Sequence, residues 1–185
     1  AITAPMTEIS QVALPVPGGP MLAVTPAGIH VGDKLGGAFT KTLGAPGTMP
    51  NEKVDLVGLS VVADPVDPNF LLAGTTQGVF LSRDGGMNFV PHTDPAIEAE
   101  YIFEFLWEPA TPDVVLAVGA DSILQSEDGG ETFAVAYISP SEINSVVVSE
   151  MGVFVATIDG LTLVGDGSQN IIEGESIIGV VPWTE

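Results

Sequence analysis

The chain has 185 residues, 45% of them hydrophobic, which is enough for one core-forming domain and too apolar for a disordered segment. Lys and Arg total 4 against 24 Asp and Glu, a formal net charge of -20, so the surface can neither neutralise a phosphate backbone nor dock on an anionic membrane through a basic patch. The absence of Cys excludes disulfides, thiolate metal sites and a Cys nucleophile.

The first residue is Ala1, with no basic region and no apolar leader after it. A signal peptide already removed, or a trimmed chain, is the expectation, and with it a periplasmic or extracellular location. No apolar run reaches the roughly 18 residues that cross a bilayer. The content of 22 Gly and 15 Pro favours short strands joined by tight turns.

Four copies of one unit then follow in order. The first is degenerate: Met21–Val24, Gly28–Val31 and Lys34–Phe39. The second is clear. An apolar stretch (Val57–Val62) leads through Asp64-Pro65 and Asp67-Pro68-Asn69 to Phe70–Gly74, Gly78–Leu81 and Ser82–Phe89. The third repeats it in register: Ile102–Trp107, Glu108-Pro109, Thr111–Asp113, Val114–Gly119, Ser122–Gln125 and Ser126–Phe133. Pro65 to Asp84 and Pro109 to Asp128 are both 19 positions. The fourth copy is again degenerate, with Ile143–Val148, Gly152–Thr157, Gly160–Val164 and Asp166–Ile171. Phe39, Phe89, Phe133 and Ile171 stand at equivalent places, 50, 44 and 38 residues apart, and that average is the length of a four-stranded propeller blade. The second copy predicts strands at Val57–Ala63, Phe70–Ala73, Gly78–Ser82 and Phe89–His92. Pro95–Glu104 is the best helix candidate and amounts to one turn at most. The expected fold is all-β: one β-propeller domain over residues 1–185, with four four-stranded blades at about 9–44, 54–92, 101–138 and 143–183. They would form a closed ring, half of an eight-bladed ring of two chains, or an arc completed by another protein. The segment Glu175–Trp183 is expected to close the ring on the first blade or to reach a partner.

Ser82-Arg83-Asp84-Gly85-Gly86-Met87-Asn88-Phe89 and Ser126-Glu127-Asp128-Gly129-Gly130-Glu131-Thr132-Phe133 resemble the Asp-box, or BNR repeat. The pattern is Ser, any residue, Asp, any residue, Gly, two of any kind, then an aromatic. The family includes sialidases, the sortilin ectodomain, some endoglucanases and photosystem assembly factors. Asp166-Gly167 matches in part, while the first copy departs, with Gly32 and Lys34 where the family has Ser and Asp. The resemblance implies a turn between the third and fourth strands of a blade, away from the usual active-site face. The residue chemistry agrees. Asp84 and Asp128 can accept N–H groups two or three residues on, Gly85-Gly86 and Gly129-Gly130 supply positive φ, and Phe89 and Phe133 re-enter the core. Ser82, Asp84, Gly86, Phe89, Ser126, Asp128, Gly130, Phe133 and Asp166 are therefore expected to be structural, and no catalytic residue is assigned.

By resemblance, a sialidase grips its substrate carboxylate with three arginines, and this chain has only Arg83. A carboxylate-pair glycosidase needs two acids across a cleft. Asp55, Glu98, Glu100, Glu104, Asp121 and Asp159 are the candidates off the boxes. Of the polar-edged aromatics that could stack a sugar (Tyr101, Trp107, Tyr137, Trp183), Trp107 reads as core. His30 lies in a strand between Ile29 and Val31, and with His92 as the only other His no transition-metal site is expected. Ca²⁺ is the one metal the composition leaves open, at Asp64–Asn69, whose repeat mate Glu108–Asp113 reads as an ordinary connection. No cofactor is assigned. There is no Gly-x-Ser-x-Gly elbow and no phosphate loop. The favoured function is an exported, non-catalytic module for protein binding or assembly. Its acid-rich Asp94–Glu104 would face a basic partner, with a homo-oligomer as a further option. A carbohydrate-binding or glycoside-hydrolase propeller is the alternative.

Overall fold

Four hairpin-built sheets follow one another in the computed structural model, which describes residues 11–13, 21–32, 39–43, 56–107, 111–149, 151–164 and 169–179. Blade one comprises β1 (Gln11–Ala13), β2 (Met21–Thr25), β3 (Gly28–Gly32) and β4 (Phe39–Leu43). Blade two comprises β5 (Gly58–Ala63), β6 (Leu71–Thr75), β7 (Gly78–Ser82) and β8 (Val90–Pro91). Blade three comprises β9 (Glu104–Trp107), β10 (Val115–Val118), β11 (Ser122–Ser126) and β12 (Ala134–Ile138). Blade four comprises β13 (Ile143–Ser149), β14 (Gly152–Thr157), β15 (Gly160–Val164) and β16 (Gln169–Glu173). Each sheet is an antiparallel meander in which every strand pairs with its chain neighbour. This is the all-β architecture that the repeat predicts. Pro95–Glu104 contains one turn, in which Asp94 O accepts the N–H groups of Ile97 and Glu98.

A second turn motif recurs beside the boxes, and the sequence reading missed it. At Thr25–Gly28, Thr75–Gly78, Ser149–Gly152 and Thr157–Gly160, the hydroxyl donates to the glycine carbonyl at 2.8–3.3 Å. It also accepts the N–H two residues on, at 3.0–3.2 Å. The glycines have φ between +96° and +147°, which a side chain rarely adopts. At Gly78 a Cβ would also fall 1.9 Å from Glu98 O.

Packing joins successive blades face to face. Leu22, Val24, Ile29 and Leu43 of blade one meet Val61, Leu71, Ala73 and Phe80 of blade two. The other face of blade two, with Phe70, Leu72 and Val79, meets Phe105, Val115, Ala117 and Leu124 of blade three. The other face of blade three, with Leu116, Val118 and Ile123, meets Val146 and Val155 of blade four. These are three junctions for four blades. Among the described residues, no hydrophobic cluster joins blade four to blade one.

Two sequence expectations change. Ile171 is not the counterpart of Phe89 and Phe133: it lies within β16 and is 50% exposed, whereas both phenylalanines are buried at the entrance to their outer strands. The described part of the last segment does not run to blade one. Its backbone stays on blade four, with Gly174 N–H donating to Asp159 O and Ile177 N–H to Thr157 O. Trp183 lies outside the described residues.

Candidate functional site

The two box turns have one geometry. Ser82 Oγ donates to Asp84 Oδ1 at 2.8 Å and accepts Gly86 N–H at 2.9 Å. Asp84 then accepts Asn88 N–H at 2.9 Å and Asn88 Nδ2 at 2.6 Å. In the next blade Ser126 Oγ donates to Asp128 Oδ1 and accepts Gly130 N–H, both at 2.8 Å. Asp128 accepts the N–H groups of Glu131 and Thr132 at 3.1 and 2.8 Å and the Thr132 hydroxyl at 2.6 Å. The carboxylates thus reach three and four residues on, one residue further than the expected Asx pattern. Gly85, Gly86, Gly129 and Gly130 all have positive φ, from +70° to +90°. A Cβ on Gly86 would meet Val31 Cγ2 at 2.9 Å, and one on Gly130 would meet Leu72 Cδ1 at 2.8 Å, so each box packs against the preceding blade. Hydrogen bonds from the Asn88 side chain and backbone hold the Asp84 carboxyl below its ordinary range. For Asp128, partial burial pushes upward, but the bonds from Thr132, Ser126 and Glu131 outweigh it and the net direction is down. Asp166 lies outside the described residues.

Three side chains tie the second box to the third, and the sequence reading assigned none of them this place. Arg83 Nη2 meets both Glu131 carboxylate oxygens at 2.6 and 2.7 Å and lies 5.1 Å from the Phe70 ring centroid. His92, 3% exposed, has Nε2 3.1 Å from Gly130 O, while its Nδ1 accepts Asp94 N–H at 3.2 Å. That pair of contacts requires the neutral tautomer with its proton on Nε2. Asp94 accepts Phe133 N–H at 2.5 Å and Ala96 N–H at 3.0 Å. Asp94 is therefore a junction residue and not part of a free acidic face. Ile97 and Ile102, from the same segment, are 0% exposed.

The proposed Ca²⁺ stretch also uses its carboxylates internally. Asp64 Oδ1 accepts the N–H groups of Val66 and Asp67, and Asp67 Oδ1 accepts both the backbone and side-chain N–H of Asn69. Among the described residues no group of three or more His, Cys, Asp and Glu is arranged to hold a metal. His30 is buried in β3, and Trp107 is half-buried, its ring edge-on to Phe70 at 6.2 Å and its Nε1 donating to Pro112 O at 2.5 Å.

A cleft of about 470 Å³ opens where the first strands of the four blades converge. Gln11 of β1, Leu59 of β5, Glu104 of β9 with the preceding Phe103, and Ile143, Asn144 and Ser145 of β13 line it, together with Glu142. The alternation of β9 explains the aim of Glu104. Phe105 packs toward blade two and Leu106 toward blade four, so Glu104, in phase with Leu106, faces blade four. Burial pushes the Glu104 carboxyl above its ordinary range. Gln11 Oε1 accepts Val61 N–H at 3.0 Å and Asn144 Nδ2 donates to Ile177 O at 2.9 Å, which fixes both amides at the rim. Phe103 is 49% exposed. Of the off-box acids named from sequence, Glu104 lines this cleft and Glu98, Glu100, Asp121 and Asp159 do not, while Asp55 is outside the described residues. Glu142 was missed because it belongs to no motif; it follows Ser141 just before an inner strand, which is its only signal. A cleft holding two acids, two amides and an exposed ring can bind cationic or hydroxyl-rich ligands.

No protein-family model matches the sequence, and no curated protein matches it. Solved structures do. A crystal structure of an ancestral GH74 enzyme is 15% identical with a TM-score of 0.68, covering 93% of this chain and 23% of its own. The extracellular domain of BT4673 from B. thetaiotaomicron is 15% identical with a TM-score of 0.71, over 94% of this chain and 24% of that one. YCF48 bound to D1 peptide is 18% identical with a TM-score of 0.57, over 80% and 47%. The chain thus spans about a quarter of the first two structures and just under half of the third. Among the described residues no helix is long and apolar enough to cross a membrane. At these identities the likeness establishes one thing: the chain has the fold of a β-propeller.

Proposed function

We propose that this chain is a non-catalytic propeller of the Asp-box type that works outside the cytoplasm as a binding or assembly module, holding part of a partner protein in the cleft at its inner strands. The observation that carries the reading is the convergence of inner-strand residues from all four blades on one acidic cleft. The box residues Ser82, Asp84, Gly86, Phe89, Ser126, Asp128, Gly130 and Phe133, and by analogy Asp166, fasten turns in this reading. Their carboxylates are occupied by hydrogen bonds within each turn, which supports the assignment. YCF48 was solved with a peptide bound, which is compatible with a module of this kind. A net charge of -20 favours a basic partner segment. The test is a binding screen of peptides of graded charge against the wild type and a Glu104→Gln, Glu142→Gln double variant. Basic peptides are expected to bind the wild type and to weaken in the double variant, with neutral peptides weaker in both. Equal binding by both proteins removes the cleft from the account.

A specific observation favours a second reading. Glu104, with its raised pKa, and Glu142 line the same cleft, the composition that a general acid and a second carboxylate require in a glycoside hydrolase. The likeness to a GH74 enzyme points the same way. An oligosaccharide hydrolysis screen separates the two. Turnover abolished by Glu104→Gln supports the enzyme, and the absence of turnover alongside peptide binding supports the module.

A further inference from the structure

The cleft at the inner strands is acidic within and apolar at its mouth. Phe103 enters it from the connection before β9, its N–H donating to Val118 O at 2.9 Å, and its side chain stays 49% exposed. On the blade-four side Asn144 lines the cleft, and its Nδ2 donates to Ile177 O. Ile177 N–H in turn donates to Thr157 O, and Thr157 is the register partner of cleft-lining Ile143. These bonds bring Ile158 and Ile178, each the next residue along the chain, to the same end of the blade, where they are 54% and 89% exposed. One exposed apolar side chain is ordinary, but three large ones at one cleft of a protein with net charge -20 mark a contact surface.

The charges beside them are acidic. Glu104 and Glu142 stand in the cleft, and no residue lining it is Lys, Arg or His. Asp159, exposed, follows Ile158 in the turn between β14 and β15. Resting on the reading of this cleft as a partner site, we propose that its occupant is a short segment of a partner protein in which one Lys or Arg stands between apolar residues. The cation meets Glu104 and Glu142, and its apolar neighbours cover Phe103 on one side and Ile158 and Ile178 on the other. A purely polybasic segment would be drawn to any part of this surface and would leave the three apolar side chains in water. A purely apolar segment would cover the half-buried Glu104 carboxyl without pairing it. The volume of about 470 Å³ is toward the small end of the roughly 300–1,000 Å³ of ligand sites, which suits a few side chains and not a folded element.

The test uses two short peptides of equal charge, a central Lys flanked by leucines and the same Lys flanked by serines. The leucine peptide should bind the wild type about tenfold more tightly or better, and its affinity should fall less steeply as salt is added. A Phe103→Ser, Ile178→Ser double variant should lose that advantage, with its thermal transition recorded to confirm folding. Ile178→Ser alone, at a site with almost no contact to the core, should lose about threefold and gives the same readout if the double variant does not fold. Glu104→Gln with Glu142→Gln should weaken both peptides. Equal binding of the two peptides, with both weakened by the glutamine variant, overturns this inference and leaves the acidic cleft as a partner site. A leucine advantage that survives in both serine variants also overturns it. Failure of both peptides to bind, or binding of both unchanged in the glutamine variant, overturns the inference together with the reading beneath it.

Discussion

Replacing Asp128 by Ala removes one carboxylate and four hydrogen bonds: from the Ser126 hydroxyl, the Glu131 and Thr132 amides and the Thr132 hydroxyl. A bond to a charged acceptor contributes roughly 1.5–3 kcal/mol when the donor would otherwise be stranded. Here Glu131 and Thr132 are exposed, so water replaces most of what is lost at those donors. The Ser126 hydroxyl is different. It is 1% exposed and keeps its bond from Gly130 N–H but loses its own acceptor. The net cost should be about 1–3 kcal/mol, lowering the melting temperature by roughly 2–4 °C per kcal/mol in a domain of this size. Urea unfolding of wild type, Asp128→Ala and the neighbouring Glu127→Ala measures it; Glu127→Ala should fall within about 0.5 kcal/mol of wild type. The pH dependence gives a second signature. The folded Asp128 pKa is lowered, so its contribution is present above the unfolded pKa of about 3.9 and is lost as pH falls toward the folded value. Asp128→Ala should therefore be most destabilised near neutrality, with the gap to wild type narrowing in acid. An unchanged midpoint, or a gap constant from neutral pH into acid, would refute the turn-fastening argument.

Three other outcomes are expected. Gly74→Ala should cost about 3 kcal/mol or more, because a Cβ would fall 2.2 Å from Ile102 O and 2.6 Å from Ser60 Oγ, whereas Gly129→Ala meets nothing within 4 Å and should cost only about 1–2 kcal/mol for its positive φ. Arg83→Met should change stability by less than about 1 kcal/mol despite the paired contacts with Glu131, because both side chains are well exposed, at 59% and 47%. Glu104→Gln should stabilise at neutral pH: the folded pKa is raised, so the ionised form is the disfavoured one, and the gain should disappear as pH falls below the unfolded pKa of about 4.3. Paired urea titrations at neutral and acid pH test this last outcome.

The fold was legible because each blade repeats strongly local chemistry. Ser82–Phe89 and Ser126–Phe133 carry their own turn in eight residues, and the apolar runs around them alternate as strands. Other features depend on tertiary register and were not legible. The hydroxyl turns at Thr25, Thr75, Ser149 and Thr157 stand as Ser/Thr-x-x-Gly before an apolar run, but the role of the hydroxyl appears only once the flanking strands are paired. Asp94 looked like one acid in an exposed run, and only the approach of the next blade brings Phe133 N–H to it. Ile171 matched the repeat by position, yet the outer strand of blade four leaves it exposed. The cleft was the least visible feature, because Gln11, Glu104, Glu142 and Asn144 come from three blades and share no spacing.

The most direct test of the account is a side-by-side dissociation constant for one basic peptide selected on the wild type. Two double variants are compared with it, Asp84→Ala with Asp128→Ala and Glu104→Gln with Glu142→Gln, at a temperature where all three proteins are folded. The account predicts unchanged affinity in the box variant and at least about tenfold weaker binding in the cleft variant. Affinity lost in the box variant and kept in the cleft variant would place the ligand at the turns and contradict it.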